Sequence, residues 1–368
     1  MTYHHYIAGE KIADMKTIVL TGGGSSGHVT PNIALLPALR REGCDVHYIG
    51  SRSGIEKELI VREGIPYHEI SAGKLRRYFD VKNISDVFKV AGGLGQAFSI
   101  LGRLKPAVVF SKGGFVSCPV VWAAWLRRIP VVIHESDITP GLTNKLSMPF
   151  AKAVCYTFPE SGRHIPEKKG IRTGIPIRES LMEGNSQTGR SICGFSGSKP
   201  VIMIIGGSLG SEKINTAVRN ILDSLLKDFN ICHICGKGNI KPELSSKRGY
   251  MQFEYINEEQ PHIYAMADLV ISRAGATVLF ELLALKKPNL LIPLSKAASR
   301  GDQILNAASF EKQGFSMVLD EDQLNEDTLI RSICQLKEKS AGFISAMKGT
   351  DNDSGVSAVM KVIKKHMK

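Results

Sequence analysis

The chain has 368 residues, enough for two domains of ordinary size that each bury a core of their own. With 43% hydrophobic and 22% charged residues it reads as globular, and no apolar run reaches the roughly 18 residues of a membrane-spanning helix. The formal net charge of +12 is uneven, with 23 basic against 14 acidic side chains in residues 1–177 and 24 against 21 in residues 178–368, so the first half is expected to face something anionic.

Residues 1–15 lack the apolar core of a signal peptide and read as a leader or extension, His4 and His5 included. From Lys16 the segments KTIVL, DVHYIG, AVVFS, PVVIHE and KAVCYT predict strands, and Pro31–Glu42 and Pro119–Arg128 predict helices between them. A second series begins near Pro200 with VIMIIG, NICHIC, MQFEYI, LVISR and NLLIP. Apolar strands separated by helices indicate parallel sheets covered on both faces. The expected fold is therefore α/β, with two Rossmann-like domains facing across a cleft. The boundaries fall at 16–177 and 178–351, and a last helix over about 352–368 is expected to pack back on the first domain. Seven cysteines, an odd number in a long chain, argue against a disulfide scaffold; Cys232 and Cys235 lie in a buried-strand pattern and read as core.

Three glycine-rich turns join strand to helix. Gly22–His28 contains G-x-G-x-x-G, whose glycines and helix start suit phosphate oxygens. The second strand ends Tyr48-Ile49-Gly50-Ser51-Arg52 without the acid a dinucleotide site needs, which argues against that cofactor. Ser111–Ser117 and Gly206–Gly210 are the other two turns, and together the three suggest two phosphorylated ligands. The last also spells G-x-S-x-G, so a serine hydrolase using Ser208, with Asp268 or Asp302 and His366, stands as an alternative from another class. A nucleotide-sugar binder without turnover is a further one. Asp320-Glu321-Asp322 looks like a D-x-D metal site but reads as a solvated turn. Between Ser71 and Lys105, and again at Trp122–Arg128, apolar and aromatic residues are ringed by Lys and Arg, as on a protein resting on an anionic bilayer surface. The patch comprises Lys74, Leu75, Arg76, Arg77, Phe79, Phe88, Trp122 and Trp125. No nucleic-acid-binding signature accompanies the basic charge, so no nucleic-acid partner is expected.

The segments GGGSSGHVTPN, SKGGFVSCP, IPVVIHESDITPGLTNK, TGIPIR, GGSLGSEKIN, SRAGATVLFELLALKKP and GDQILNAASFEKQG, in this order from about Lys16 to the C-terminus, resemble the MurG family. The resemblance implies a GT-B fold and an inverting transfer of N-acetylglucosamine, with no metal and no cofactor. The donor is UDP-N-acetylglucosamine and the acceptor undecaprenyl-pyrophosphoryl-muramyl-pentapeptide (lipid I), at the cytoplasmic face of the bacterial membrane. A related GT-B transferase with another lipid acceptor is the alternative within the class. Carried over, the donor residues are Ser25, Ser26, Gly27, Asp137, Arg178, Ser208, Ile256, Ala276, Thr277, Val278, Leu279, Phe280, Glu281 and Gln303. Ser208 would meet the diphosphate, the main chain of Ile256 the uracil, Glu281 the ribose, Gln303 the sugar, and Arg178 the departing UDP. Gly24, Gly27, His28, Gly113, Gly114 and Lys145 would meet the acceptor pyrophosphate. His28 and Glu135 are the catalytic candidates, since an inverting transfer needs a base for the acceptor hydroxyl. Three segments depart from the family pattern: Ser26 for a glycine, Ser136-Asp137 for Gln-Asn, and Ile175 for Asn.

Overall fold

The computed structural model describes residues 15–73, 82–207, 210–296, 300–350 and 355–367, without the side chains of 82–88. In the first half the strands are β1 (Thr17–Thr21), β2 (Asp45–Ser51), β3 (Tyr67–Ile70), β4 (Val108–Ser111), β5 (Val131–Glu135), β6 (Ala153–Tyr156) and β7 (Gly170–Arg172). Helices α1 (Thr30–Arg41), α2 (Ile55–Arg62), α3 (Lys82–Leu104), α4 (Ser117–Leu126) and α5 (Leu142–Ser147) connect them. The second half carries α6 (Ser186–Ile192), β8 (Val201–Ile205), α7 (Glu212–Asn220), α8 (Leu222–Asp228), β9 (Asn230–Ile234), β10 (Tyr250–Phe253), α9 (Gln260–Met266) and β11 (Leu269–Ser272). It continues through α10 (Ala276–Ala284), β12 (Asn289–Leu291), α11 (Asp302–Lys312), β13 (Met317–Val318), α12 (Glu326–Lys348) and α13 (Gly355–His366).

Two parallel sheets result, in the orders β3-β2-β1-β4-β5-β6-β7 and β10-β9-β8-β11-β12-β13. Their inner strands are mostly apolar because helices cover both faces: β4, β5, β9 and β11 are buried along their whole length, and the few polar residues among them, such as His134, Glu135 and His233, are buried too. Strand order reverses between β1 and β4 and again between β8 and β11, which opens a crevice at their carboxyl ends. The glycine turns follow β1, β4 and β8, so topology alone brings them to the facing ends of the two sheets. Helix α13 returns to the first half, where Val356, Val359, Met360, Val362 and Ile363 share a core with Leu35 and Leu39 of α1. Burial is worth roughly 1.5–3 kcal/mol for each such side chain, so this last helix is an integral part of that core. A separate apolar cluster bridges the halves, with Phe158 stacked edge-on against Phe280 and Phe310.

A candidate active site between the two sheets

The cleft encloses about 890 Å³ and is lined from both halves. Its first wall is built on two interlocked loops. The amide of Gly23 donates to the carbonyl of Gly113 at 3.3 Å. Gly114 has φ +85°, and a Cβ there would lie 2.0 Å from the carbonyl oxygen of Gly23 and 2.8 Å from the His28 ring, so no other residue fits. Beneath them Glu56, fully buried, accepts from the Ser51 amide (3.2 Å), the Ser51 hydroxyl (2.5 Å) and the Gly24 amide (3.2 Å).

These bonds revise the expectation for the glycines. The amides of Gly23 and Gly24 are spent on protein acceptors and Gly113 donates to Ser111 Oγ, so Gly24, Gly113 and Gly114 shape the wall from behind instead of lining it. Ser25, Ser26, Gly27 and His28 do line it. Ser26 adopts a helical turn that any residue can take, so its replacement of glycine strains nothing. Lys145 is exposed on α5 and does not line the cleft.

Behind the wall lies a side chain that the sequence reading left unassigned. Lys112 is 1% exposed and donates to Ser136 Oγ at 2.7 Å. Burial lowers its proton affinity, while Glu135 and Asp137 pull it back up. Burial, then Lys112, then Arg300 push His28 down to about 3, so its imidazole is neutral at physiological pH and a weak proton acceptor. Glu135, the other catalytic candidate, is not among the cleft-lining residues. Its Oε1 accepts from the Asp137 amide (3.0 Å), and Oε2 accepts from the Gly141 amide (3.1 Å) and Asn144 Nδ2 (2.8 Å). Its carboxylate thus holds the 136–141 loop in place. Asp137 does reach the cleft, at the carboxyl end of β5.

The second wall is formed by the ends of β8, β11 and β12. Helix α10 starts at Gly275 with no side-chain cap, which leaves its first amides to water or a ligand. Ala276, Thr277, Val278 and Glu281 of this helix line the cleft, whereas Leu279 is fully buried and Phe280 stacks in the bridging aromatic cluster. The contiguous run expected from sequence is therefore split, because successive residues of a helix point in different directions. Glu281 is buried and accepts from Tyr264 Oη at 3.1 Å; burial raises its proton affinity against the opposing pull of Arg178 and Tyr264. Arg178 donates to Gln260 Oε1 at 2.5 Å, and its buried Nε has no partner. Gln303 Oε1 accepts from the amides of Ala274 (3.3 Å) and Leu294 (3.1 Å), and Ile256 lines the cleft while 4% exposed. Ser208 lies outside the described residues, as do Lys74, Leu75, Arg76, Arg77 and Phe79; Phe88 lies on α3 among the side chains not described.

Glu321, expected in a solvated turn, is buried instead. It pairs with Arg273 at 2.5 Å and Lys213 at 3.2 Å; burial alone would raise its proton affinity, but these cations hold it below the usual carboxylate range. Among the described residues no group of three or more His, Cys, Asp or Glu is placed to hold a metal ion. The hydrolase alternative has no support in the geometry. Asp268 accepts from the Val201 amide at the opposite end of β8 from the glycine turn, Asp302 pairs with Arg300 and Thr139, and His366 ends the helix packed on the other half.

The halves meet across the site. A Cβ on Gly27 would lie 3.6 Å from Thr277 Oγ1, and Asn306 of α11 donates to Asp137 Oδ1 at 3.0 Å. Two parallel sheets that turn glycine loops and an uncapped helix start toward one cleft form the GT-B arrangement. Residues 18–156 match the glycosyltransferase family 28 N-terminal domain and residues 201–363 its C-terminal domain. The chain is 58% identical over 354 residues, 96% of its length and 100% of the relative's, to a Clostridium botulinum (strain Loch Maree / Type A3) protein. That relative is described as UDP-N-acetylglucosamine--N-acetylmuramyl-(pentapeptide) pyrophosphoryl-undecaprenol N-acetylglucosamine transferase. A Clostridium kluyveri protein of the same description is 57% identical over 352 residues, covering 96% of this chain and 100% of the relative. In fold, the chain is similar to the crystal structure of Acinetobacter baumannii MurG, with a TM-score of 0.71 and 24% identity over 95% of this chain and 99% of that one. The chain belongs to glycosyltransferase family 28 and, within it, to the MurG family.

Proposed function

We propose that the chain transfers N-acetylglucosamine from UDP-N-acetylglucosamine to lipid I, with inversion at the anomeric carbon, giving lipid II for peptidoglycan synthesis. The observation that carries this reading is the 58% identity across 96% of the chain to relatives described by that transfer. The experiment is direct: purified protein, labelled donor and a short-chain lipid I analogue, following sugar transfer and UDP release. Binding of UDP without transfer would reject the reading in favour of a binder.

In the proposed arrangement the second half holds the donor. The uncapped amides of α10 and its partial positive charge meet the diphosphate, and Arg178 offsets charge developing on UDP. The Ile256 main chain meets uracil. The Gln303 amide group, its oxygen already fixed, donates to sugar hydroxyls. Arg273 and Lys213 also line the cleft, where both pair with the single carboxylate of Glu321. Glu281 accepts from the ribose hydroxyls. A hydrogen bond to a charged group contributes about 1.5–3 kcal/mol, so Glu281→Ala is expected to raise the donor KM by roughly ten- to a hundredfold. The acceptor KM should stay put; equal changes in both constants would remove Glu281 from the donor site.

The first half holds the acceptor, with Ser25, Ser26, Gly27 and a neutral His28 toward the pyrophosphate. Its outer surface is proposed to rest on the anionic cytoplasmic leaflet. Support comes from Trp125, Leu126, Phe98 and Leu146, which are 51%, 52%, 39% and 39% exposed, with Arg127 over the Phe98 ring and Trp125 against Phe150. Among the described residues no helix is long and apolar enough to cross a membrane. Replacing both Trp125 and Leu126 by serine is expected to weaken co-sedimentation with phosphatidylglycerol vesicles roughly tenfold or more while leaving UDP affinity intact. Unaltered vesicle binding would move the membrane face elsewhere.

A further inference from the structure

The acceptor pyrophosphate brings negative charge to the first half, and Lys145, the cation that the sequence offered for it, does not line the cleft. The Lys and Arg side chains that do are Arg62, Arg178, Lys213, Arg273 and Arg300. Four of them belong to the second half: Lys213 and Arg273 are tied to Glu321, Arg300 to Asp302, and Arg178 to Gln260. Arg62 is paired with Glu58 of its own helix.

The first half does hold another cation, one layer behind its wall. Lys112 follows β4, the strand between β1 and β5. Its amide donates to the Thr21 carbonyl at the end of β1 at 2.9 Å, and a Cβ on Gly22 of the first glycine turn would lie 3.2 Å from the Lys112 Cβ. The side chain then runs to the end of β5, where Nζ donates to Ser136 Oγ at 2.7 Å. The ammonium thus lies at the middle of the crevice where the strand order reverses. It is buried, and among the described residues no carboxylate is close enough to pair with it. A buried charge with one hydrogen bond and no counter-ion is costly to keep. Ser136 itself lines the cleft, and because its oxygen accepts from Lys112, its hydroxyl proton is free to donate into the cleft.

We propose that Lys112 is the buried cation of the acceptor pyrophosphate subsite, and that it acts on a phosphate oxygen through the hydroxyl of Ser136. Lys112 polarises that hydroxyl and fixes its direction, so it is a positioning residue, while Ser136 makes the contact. The positive charge is felt strongly because water is excluded from around it. Burial lowers the proton affinity of Lys112 and the nearby Glu135 and Asp137 oppose the loss, so the carboxylates help to keep the charge in place. The assignment also accounts for a departure from the MurG pattern. Glutamine at position 136 would offer an amide donor; the shorter serine, backed by an ammonium, keeps a donor at the same place.

The proposal rests on the acceptor reading above but not on turnover, so the primary measurement is equilibrium binding of the lipid I analogue without donor. Lys112→Met fills the buried channel with an uncharged chain of similar length. Its Kd for the analogue, and its acceptor KM, are expected to rise at least tenfold, with kcat and the UDP Kd within threefold of the parent. Since the substitution removes an unpaired buried charge, the urea midpoint followed by the fluorescence of Trp122 and Trp125 should not fall. Ser136→Ala should raise the same Kd and, by leaving the ammonium bare, lower the midpoint. Combining the two substitutions should restore the midpoint without weakening analogue binding further. An analogue Kd within threefold of the parent in Lys112→Met would overturn the proposal. So would a matching loss of UDP affinity or a lowered midpoint in that variant, either of which makes Lys112 a structural residue. If the unaltered protein binds UDP-N-acetylglucosamine and the analogue without transfer, the transferase reading fails and these affinities still decide the role of Lys112. If it binds no analogue, the acceptor reading fails and this assignment with it.

Discussion

Glu56→Ala is expected to lower the stability of the first half by about 3–5 kcal/mol and to raise the acceptor KM, because it strands three donors that now end on one carboxylate. The Ser51 amide, the Ser51 hydroxyl and the Gly24 amide would face a cavity, since Gly23 and Gly54 have no side chains to fill it; a Cβ on either would lie 2.5 or 2.1 Å from the carboxylate. Both tryptophans, Trp122 and Trp125, belong to this half, so their fluorescence during urea unfolding isolates its midpoint. Glu56→Gln, which keeps an acceptor oxygen, should lose less than the alanine variant. UDP affinity, which the proposed arrangement gives to the other half, should not change. An unaltered midpoint in Glu56→Ala would mean that the first glycine turn holds its shape without this carboxylate.

Acid should destabilise both halves through depressed histidines, among them His28 at the cleft and the fully buried His134 and His233. His134 is fully buried and donates from Nε2 to the Gly174 carbonyl at 2.8 Å, leaving Nδ1 bare and without a partner. His233 is fully buried between Tyr250 Oη and Asn215 Oδ1, each at 2.9 Å. Burial, aided by Lys112 for the first and Arg219 for the second, pushes both down to about 3 from the ordinary 6.5. A depressed histidine takes its proton only after unfolding, so its stabilising effect is complete above pH 6.5 and is lost as pH falls from 6.5 toward 3. The loss is about 1.4 kcal/mol per pH unit for each ring, or roughly 2 kcal/mol each by pH 5. Hydrogen exchange of β9 against pH reports the second half. His233→Gln, which still donates to Asn215, should flatten that dependence, and an unchanged slope would exclude His233 as its source.

Much of the architecture was readable from the pattern of residues. The inner strands appear in the sequence because a parallel strand covered on both faces is a near-continuous apolar run, with the few polar exceptions such as His134 and His233 hydrogen-bonded inside. The strands it did not reveal are β3, β7 and β13, with the sequences Tyr67–Ile70, Gly170–Arg172 and Met317–Val318. Each lies at a sheet edge or is only two residues long, is partly solvated, and pairs on one side alone, so neither length nor hydrophobicity marks it. The motifs likewise located the cleft-lining Ser25–His28, Arg178, Ile256, Glu281 and Gln303.

The sequence by itself determined two Rossmann-like halves, the strand-to-helix glycine turns and the family, since these depend on local period, on residues with special backbone freedom and on motifs in fixed order. What only the tertiary structure decided is how the polar groups are spent. Glu56 consumes the Gly24 amide from 32 residues away, Glu135 turns from a candidate catalyst into the anchor of its loop, and Glu321 leaves solvent to meet Arg273. Burial holds His28 neutral, aided by Lys112 and Arg300, which reach it from different halves of the chain. A hydrogen bond or a buried charge is a property of a place in space, and a motif fixes the residue type at that place without fixing the partner it finds there.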